Sequence, residues 1–96
     1  MLTLIKSPPS EEELIDIWSY IAEDQPLNAD RFLNRLHDSM LRLAETPKMG
    51  VERPELIKGL RSYPVGSYLL YYRINNTQLE IVRVLSASRD VENVDW

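Results

Sequence analysis

Four arginines in the second half of the chain are the residues best suited to bind an anionic group or to take part in catalysis. Three fall on predicted strands and the fourth follows the last strand: Arg61, Arg73, Arg83 and Arg89. A guanidinium held on a sheet can bind a phosphate, or a carboxylate through two parallel hydrogen bonds. Such arginines can instead pair with carboxylates of the chain's own helices, such as Asp16 or Asp24, or extend to the edges of the sheet. The residue types are compatible with both roles.

Catalysis on a bound phosphate would also require a proton donor and a proton acceptor. Carboxylates are plentiful but distant, and His37 lies on a predicted helix at the edge of its apolar stripe. No histidine follows Ser86 or Ser88 to activate a hydroxyl. The tyrosines near the strands are Tyr63, Tyr68, Tyr71 and Tyr72. No acid–base pair is evident, so we expect the chain to have no catalytic residues.

The composition predicts a single globular domain over residues 1–96. Hydrophobic residues make up 44% of the chain and charged residues 27%, which is ordinary for such a domain. With no cysteine, one histidine and no glycine-rich phosphate-binding motif, we expect neither a metal nor a cofactor. The lack of cysteine fits a reducing cytoplasm. No signal peptide is evident and no apolar stretch has the ~18 residues of a membrane span, so we expect no membrane contact.

The charge is divided unevenly along the chain. The total is −4, but residues 1–47 carry −5 and residues 48–89 carry +4. A negative total argues against a protein that coats nucleic acid. The unequal halves fit either random scatter in a small protein or a basic face that meets an acidic partner.

The first half of the chain predicts a short strand followed by two helices. Residues 2–6 can form the strand, which ends at the prolines that follow. Ser10 and Glu13 have capping-box spacing, so the first helix is expected from about Glu11 to Glu23. A second helical stripe runs from Ala29 to Ala44. The link between the helices is short, which makes them antiparallel neighbours.

The second half predicts a loop over residues 47–58 and then three strands. The strands are expected over Gly59 to Pro64, Ser67 to Ile74 and Leu79 to Leu85, with a tight turn at Asn75-Asn76. The order is therefore β-α-α-β-β-β. We expect an α+β fold in which the helical hairpin packs on one face of an antiparallel sheet.

Alternation along the last strand places Arg83 in the middle of a sheet face, together with Leu79, Ile81 and Leu85. Both faces of this strand are largely apolar, and the helical hairpin can cover only one of them. The other face must be sealed by the end of the chain, by a dimer or by a partner segment. Residues 91–96 are predicted to be a mobile tail, although Trp96 would then be an aromatic side chain left in water.

Four segments, in order and with consistent spacing, resemble the ParE branch of the RelE/ParE toxin superfamily. They are DIWSYIAEDQPLNADRFLNRL, LAETPKMG, RPELIKGLRSYPVGSYLLYYRI and LEIVRVLSASRD, and together they cover roughly residues 10–90. The resemblance implies a bacterial toxin of a type II toxin–antitoxin module with a RelE/ParE-like fold. Toxins of this branch are described as poisons that stall DNA gyrase on cleaved DNA and need no catalytic residues of their own.

The resemblance also implies a partner, a ParD-like antitoxin. Such an antitoxin lays its C-terminal segment across the toxin in a hetero-oligomer, while its N-terminal part dimerises and binds operator DNA. The toxin would then meet that DNA only through the antitoxin. Recurrent ParE-type positions are matched here by Arg61, Arg83, Arg89 and Asp90, and with Trp96 they are the candidate residues for binding the antitoxin or the target.

Two alternatives accompany this interpretation. The sibling RelE branch cuts mRNA in the ribosome, but its members are typically basic and tend to carry a Tyr or His near the C-terminus, where this chain has Ser88-Arg89-Asp90. ParE-like sequences commonly read RVLH before the final RD, and here Ser86 stands in the place of the His. A RelE-like mRNA endonuclease and a non-toxic, repurposed binding domain are therefore the rival hypotheses.

Overall fold

The computed structural model describes residues 1–96 and places two antiparallel helices on one face of a five-stranded sheet. The helices are α1 (Pro8–Ala22) and α2 (Pro26–Glu45), and a short 3-10 turn (Pro47–Met49) follows them. The strands are β1 (Thr3–Lys6), β2 (Val51–Glu52), β3 (Leu60–Val65), β4 (Tyr68–Asn75) and β5 (Gln78–Ser86). The predicted α+β arrangement of a helical hairpin on a sheet is confirmed. Neither helix has the length and apolar content that a membrane span requires.

The sheet differs from the predicted one in two details. Its strand order is β1-β5-β4-β3-β2, and β1 runs parallel to β5 while the other neighbours are antiparallel. The sheet is therefore mixed, because the helical hairpin between β1 and the later strands allows a parallel return. The additional strand, β2, has two residues and lies within the segment predicted as a loop.

Helix α1 begins three residues earlier than the sequence pattern predicted. Ser7 is the N-cap, since its Oγ accepts a hydrogen bond from the Ser10 N–H at 3.2 Å. Pro8 and Pro9 occupy the first helical positions. Backbone N–H groups there have no partner within the helix, so proline, which lacks an N–H, loses no hydrogen bond. The predicted capping box of Ser10 and Glu13 is therefore wrong, and the Glu13 carboxylate is available for a different contact.

The main core lies between the helices and the sheet. Helix α2 contributes Leu36, Met40 and Leu43, which are almost fully buried, and α1 contributes Ile17. The sheet supplies the remaining buried members of this cluster, Val65, Leu70, Tyr72, Leu79, Ile81 and Val84. The apolar stripes that predicted the two helices are thus the faces that the helices turn towards the sheet.

A β-bulge in β5 changes which of its residues share a face. Tyr72 is paired with Ile81 and Tyr71 with Arg83, so Val82 is an extra residue between two consecutive pairs. As a result, Val84 joins Ile81 in the main core, while Leu85 packs on the opposite face. The predicted alternation, which placed Arg83 and Leu85 on the same face as Ile81, is therefore wrong, because Arg83 is paired with Tyr71 of the opposite face.

A second, smaller core covers the sheet face away from the helices. Its buried members are Leu60, Tyr71, Val82 and Leu85. Residues 91–96, called the tail below, pack over it through Val91, Val94 and Trp96. Instead of being left in water, the Trp96 ring lies against the Tyr71 ring with the centroids 4.8 Å apart. The tail therefore covers part of this face, together with Leu56 and Leu69.

Candidate functional site

The structure divides the five candidate binding residues into two groups. Arg61 lies on β3 beside the segment that links α2 to β2. The other four, Arg83, Arg89, Asp90 and Trp96, lie on β5 or in the residues that follow it. Strand β4 separates β3 from β5, so the two groups do not converge on a single pocket.

Arg83 is bound within the molecule. Its Nε donates to Glu13 Oε2 at 2.9 Å, its Nη2 lies 2.7 Å from the same oxygen, and its Nη1 donates to the Asp95 carbonyl at 3.0 Å. The side chains of Arg83 and Glu13 are only 16% and 15% exposed. A helix carboxylate was predicted as one possible partner, but Asp16 or Asp24 were the residues named. Glu13 lies one helical turn before buried Ile17, and this spacing is the sequence signal that could have identified it.

The same carboxylate closes the open edge of β5. Strand β1 pairs with β5 only as far as Ile81, and beyond that point no strand lies on this side. Ser7 Oγ donates to the Val82 carbonyl at 2.7 Å, and Glu13 Oε1 accepts from the Val84 N–H at 2.9 Å. The N-terminal part of α1 therefore satisfies polar groups that would otherwise attract another strand.

Arg61 organises the segment after α2. Its Nη1 donates to the Gly50 carbonyl at 2.8 Å, and its Nη2 lies 3.2 Å from Glu52 Oε1. The Tyr72 hydroxyl donates to the Pro47 carbonyl at 2.6 Å and accepts from the Gly50 N–H at 2.9 Å. A Cβ at position 50 would lie 2.4 Å from that hydroxyl, so only glycine fits there. Burial raises the pKa of Tyr72, which keeps the phenol neutral and able to donate.

Arg89 is the one exposed member of the four arginines that has no side-chain partner. Arg73 pairs with Glu80 at 2.6 Å, and Arg61 and Arg83 are held as described. The predicted neighbour of Arg89, Asp90, instead accepts hydrogen bonds from the Glu92 N–H and the Asn93 side chain. An Arg89–Asp90 ion pair is therefore not formed. Ser86 and Ser88 share a hydrogen bond beside Arg89, which gives an exposed polar corner at the end of β5.

Arg53 is a functional candidate that sequence reasoning missed. Its guanidinium lies 5.8 Å from the centroid of the Tyr71 ring, and its Nε donates to Glu55 at 2.8 Å. The hydrogen bond to Glu55 raises the pKa of Arg53 and lowers that of the exposed Glu55. Arg53 and Glu55 line a cleft of about 450 Å³ beside the tail, together with Leu56, Val91, Glu92, Val94 and Trp96. Position 53 precedes a proline in a predicted loop, so nothing in the sequence pattern indicated a packed cation there.

The candidate proton donors and acceptors lie in different environments. Tyr71 and Tyr72 are fully buried, while His37 is exposed on α2, on the helical side of the sheet. No three His, Asp or Glu side chains come together as metal ligands. The arrangement can hold a partner's anionic group at Arg89, and it uses Arg61 and Arg83 to position backbone.

Two antiparallel helices on a five-stranded mixed sheet define the class of the fold, which is α+β and RelE/ParE-like. A solved chain described as "Chromosomal ParDE TA system from P. aeruginosa" has this fold, with a TM-score of 0.76 at 18% identity over 90% of this chain and 96% of that one.

The family follows from sequence. The model described as "ParE toxin of type II toxin-antitoxin system, parDE" matches residues 4–91, and the chain belongs to this family. It is 30% identical to Toxin ParE1 of Mycobacterium tuberculosis over 88 residues, 90% of each chain. It is 29% identical to Toxin ParE3 of Caulobacter vibrioides over 83 residues, 85% of this chain and 83% of that toxin. The resemblance to the ParE branch is confirmed.

Proposed function

We propose that this toxin inhibits DNA gyrase by binding it in the bacterial cytoplasm, without catalysis of its own. The observation that carries the proposal is membership of the ParE family over residues 4–91. The antitoxin is proposed to be ParD-like, to neutralise the toxin in a hetero-oligomer and to provide the contact with operator DNA. A solved relative described as a ParDE system supports a partner of this kind.

The engagement of the arginines supports inhibition by binding over RNA cleavage. A nuclease needs cations free to hold the scissile phosphate and a proton donor and acceptor beside them. Here Arg61, Arg73 and Arg83 are each paired with a carboxylate of the chain itself. Of the four, only Arg89 has no carboxylate partner, and the single histidine, His37, lies on α2, on the helical side of the sheet.

Expression of the chain alone from a tightly regulated promoter tests the target. We expect growth arrest with an SOS response and gyrase-linked DNA breaks, all suppressed by co-expression of the antitoxin from the neighbouring reading frame. Arrest with intact DNA would contradict gyrase as the target. Transcript cleavage during translation would favour a RelE-like endonuclease, and normal growth with abundant folded protein would favour a non-toxic binding domain.

Arg89 is proposed as the candidate that touches a partner directly. Charge reversal at Arg61 or Arg83 would break internal ion pairs and disturb the fold, so those positions cannot report on binding alone. Arg89→Glu should leave folding intact and weaken binding to the antitoxin or to gyrase by about tenfold or more. Lys58→Glu, in the exposed loop before β3, is the matched control. Equal effects of the two reversals would remove Arg89 from the interface.

A further inference from the structure

Four arginines of the chain have no carboxylate partner, and all four are exposed. They are Arg31, Arg35 and Arg42 on α2, and Arg89 after β5. Arg31 and Arg35 lie one helical turn apart, a spacing at which like charges repel each other and weaken a helix. The fold therefore keeps a pair of neighbouring cations that its own carboxylates do not neutralise.

The flank of α2 that carries these two arginines packs on the turn between β3 and β4. A Cβ at Gly66, in that turn, would lie 3.2 Å from Phe32 Cε1 and 3.5 Å from Arg35 Nη1. Phe32 also lies against Tyr68, the first residue of β4, with the ring centroids 5.5 Å apart. A groove of about 350 Å³ runs along this flank and is lined by Ile21, Asn28, Arg31, Phe32 and Arg35. The aromatic contact thus fixes both arginines at the end of the sheet where β3 turns into β4.

Strand β5 ends at the same place and brings a third arginine there. Ser86 is paired with Tyr68, and the Ala87 N–H donates to the Ser67 carbonyl of the β3–β4 turn at 2.8 Å. Arg89 follows two residues later, and its N–H donates to the Ser86 carbonyl at 3.1 Å. Three of the four unpaired arginines therefore lie at one end of the molecule. This region is called the basic end below and is defined by Arg31, Arg35, Arg89 and the turn residues Gly66 and Ser67.

The basic end combines the kinds of donor that hold phosphate groups in protein–DNA complexes. Such contacts come from guanidinium groups, from serine hydroxyls and from backbone N–H groups. The Gly66 N–H has no hydrogen-bond partner in the chain, and the Ser67 side chain is exposed beside it. The carboxylate of Asp90, next to Arg89, is already engaged by the Glu92 N–H and the Asn93 side chain. The arginines are therefore free to bind an oxyanion from outside the molecule.

We propose that the basic end binds backbone phosphates of the DNA that gyrase holds, so that the toxin touches the enzyme and its DNA together. That the DNA is held by gyrase rests on the proposed function; the phosphate site does not. Because the chain carries a net charge of −4, it binds DNA weakly by itself, and the complex with gyrase supplies the local concentration that makes the contact effective. The slope of log affinity against log salt should be about −0.9 for each phosphate contacted, or about −2.7 for three arginines.

Fluorescence anisotropy of a short labelled DNA duplex, titrated with the full-length chain over a series of salt concentrations and without gyrase, tests the site. Arg31→Gln and Arg35→Gln should each weaken binding by about threefold or more at low salt and make the salt slope shallower by about 1. Both substitutions are at exposed positions and remove a repulsion between like charges, so the variants should fold.

Lys58→Gln is the matched control, because it removes one exposed positive charge at the opposite end of β3 from the β3–β4 turn. It lowers the net charge by the same amount as each arginine substitution, and it should leave the salt slope of the parent unchanged. Any difference between the control and the arginine variants then reports on the position of the charge and not on the total charge.

Equal salt slopes for Arg35→Gln and Lys58→Gln would overturn the proposal. So would the absence of saturable DNA binding by the folded parent at ~1 mM chain and low salt. Polyglutamate that displaces the duplex as well as unlabelled DNA of equal charge would assign the basic end to an acidic protein segment and would also contradict the proposal.

Binding of the chain to gyrase in the absence of DNA, measured in parallel, separates this proposal from the proposed function. A parent chain that binds DNA with the expected slope but does not bind gyrase would contradict gyrase as the target and leave the phosphate site standing. A parent chain that binds gyrase but not DNA would overturn the phosphate site and leave the gyrase target standing.

Discussion

Arg83 keeps its charge inside an apolar strand because the Glu13 carboxylate and the Asp95 carbonyl satisfy its guanidinium. Arg61 is satisfied in the same way by Glu52 and by carbonyls of the segment after α2. The sequence identified both residues as unusual, since a buried arginine needs a partner. It could not identify the partners, because those lie up to 70 residues away and depend on tertiary geometry.

Tyr72 gives a prediction at the same scale. Burial raises its pKa above the ordinary value of 10.0, so the folded chain holds the phenol neutral at a pH where the unfolded chain ionises it. Its contribution to stability is full below about pH 10 and is lost as the pH rises through the raised pKa. Tyr72→Phe should lower the free energy of unfolding by about 1–2 kcal/mol at pH 7, through the lost bonds to Pro47 and Gly50. Urea denaturation at pH 7 and above pH 10 should show this difference shrinking.

Tyr20→Phe is the matched control for that experiment, because Tyr20 is 72% exposed. It should change the free energy of unfolding by no more than about 0.5 kcal/mol at either pH. A gap between the parent and Tyr72→Phe that widens with rising pH would contradict the assigned direction of the pKa shift.

Helices and strands were predictable where one physical signal dominated. The apolar stripes and flanking prolines indicated α1 and α2, and the branched and aromatic runs indicated β3, β4 and β5. The bulge at Val82 was not predictable, because one extra apolar residue in an apolar run leaves the pattern unchanged. The start of α1 was misplaced because Ser7 and Ser10 are equally good N-caps, and Glu13, which favoured Ser10, is used by β5 instead.

The contact between α1 and β5 yields a prediction at the scale of elements. Glu13→Gln keeps an oxygen for the Val84 N–H but removes the charge that faces Arg83, so it should destabilise the fold by about 2 kcal/mol. Asp16→Asn, exposed on the same helix, is the control and should have little effect. Urea denaturation of the two variants measures the difference. Similar small losses in both would mean that the ion pair does not hold α1 to the sheet.

The whole molecule has two cores, one on each face of a single sheet, and only the larger is covered by helices. The uneven charge along the sequence suggested a basic face on the second half of the chain. Four of the seven basic residues in that half pair with nearby carboxylates, namely Arg53, Arg61, Arg73 and Arg83. Charge counts along a chain cannot reveal this, because they do not show which opposite charges meet. Of the seven, Lys48, Lys58 and Arg89 are left without a carboxylate partner.

The claim that this ParE-family toxin acts on gyrase is tested most directly with purified components. Gyrase, supercoiled plasmid and ATP are incubated with increasing amounts of the chain, and cleaved DNA is measured after the proteins are denatured. We expect linear DNA that rises with the amount of toxin, is reduced by Arg89→Glu but not by Lys58→Glu, and disappears when antitoxin is added first. Unchanged supercoiling with no linear DNA, at a molar excess of folded toxin, would contradict it.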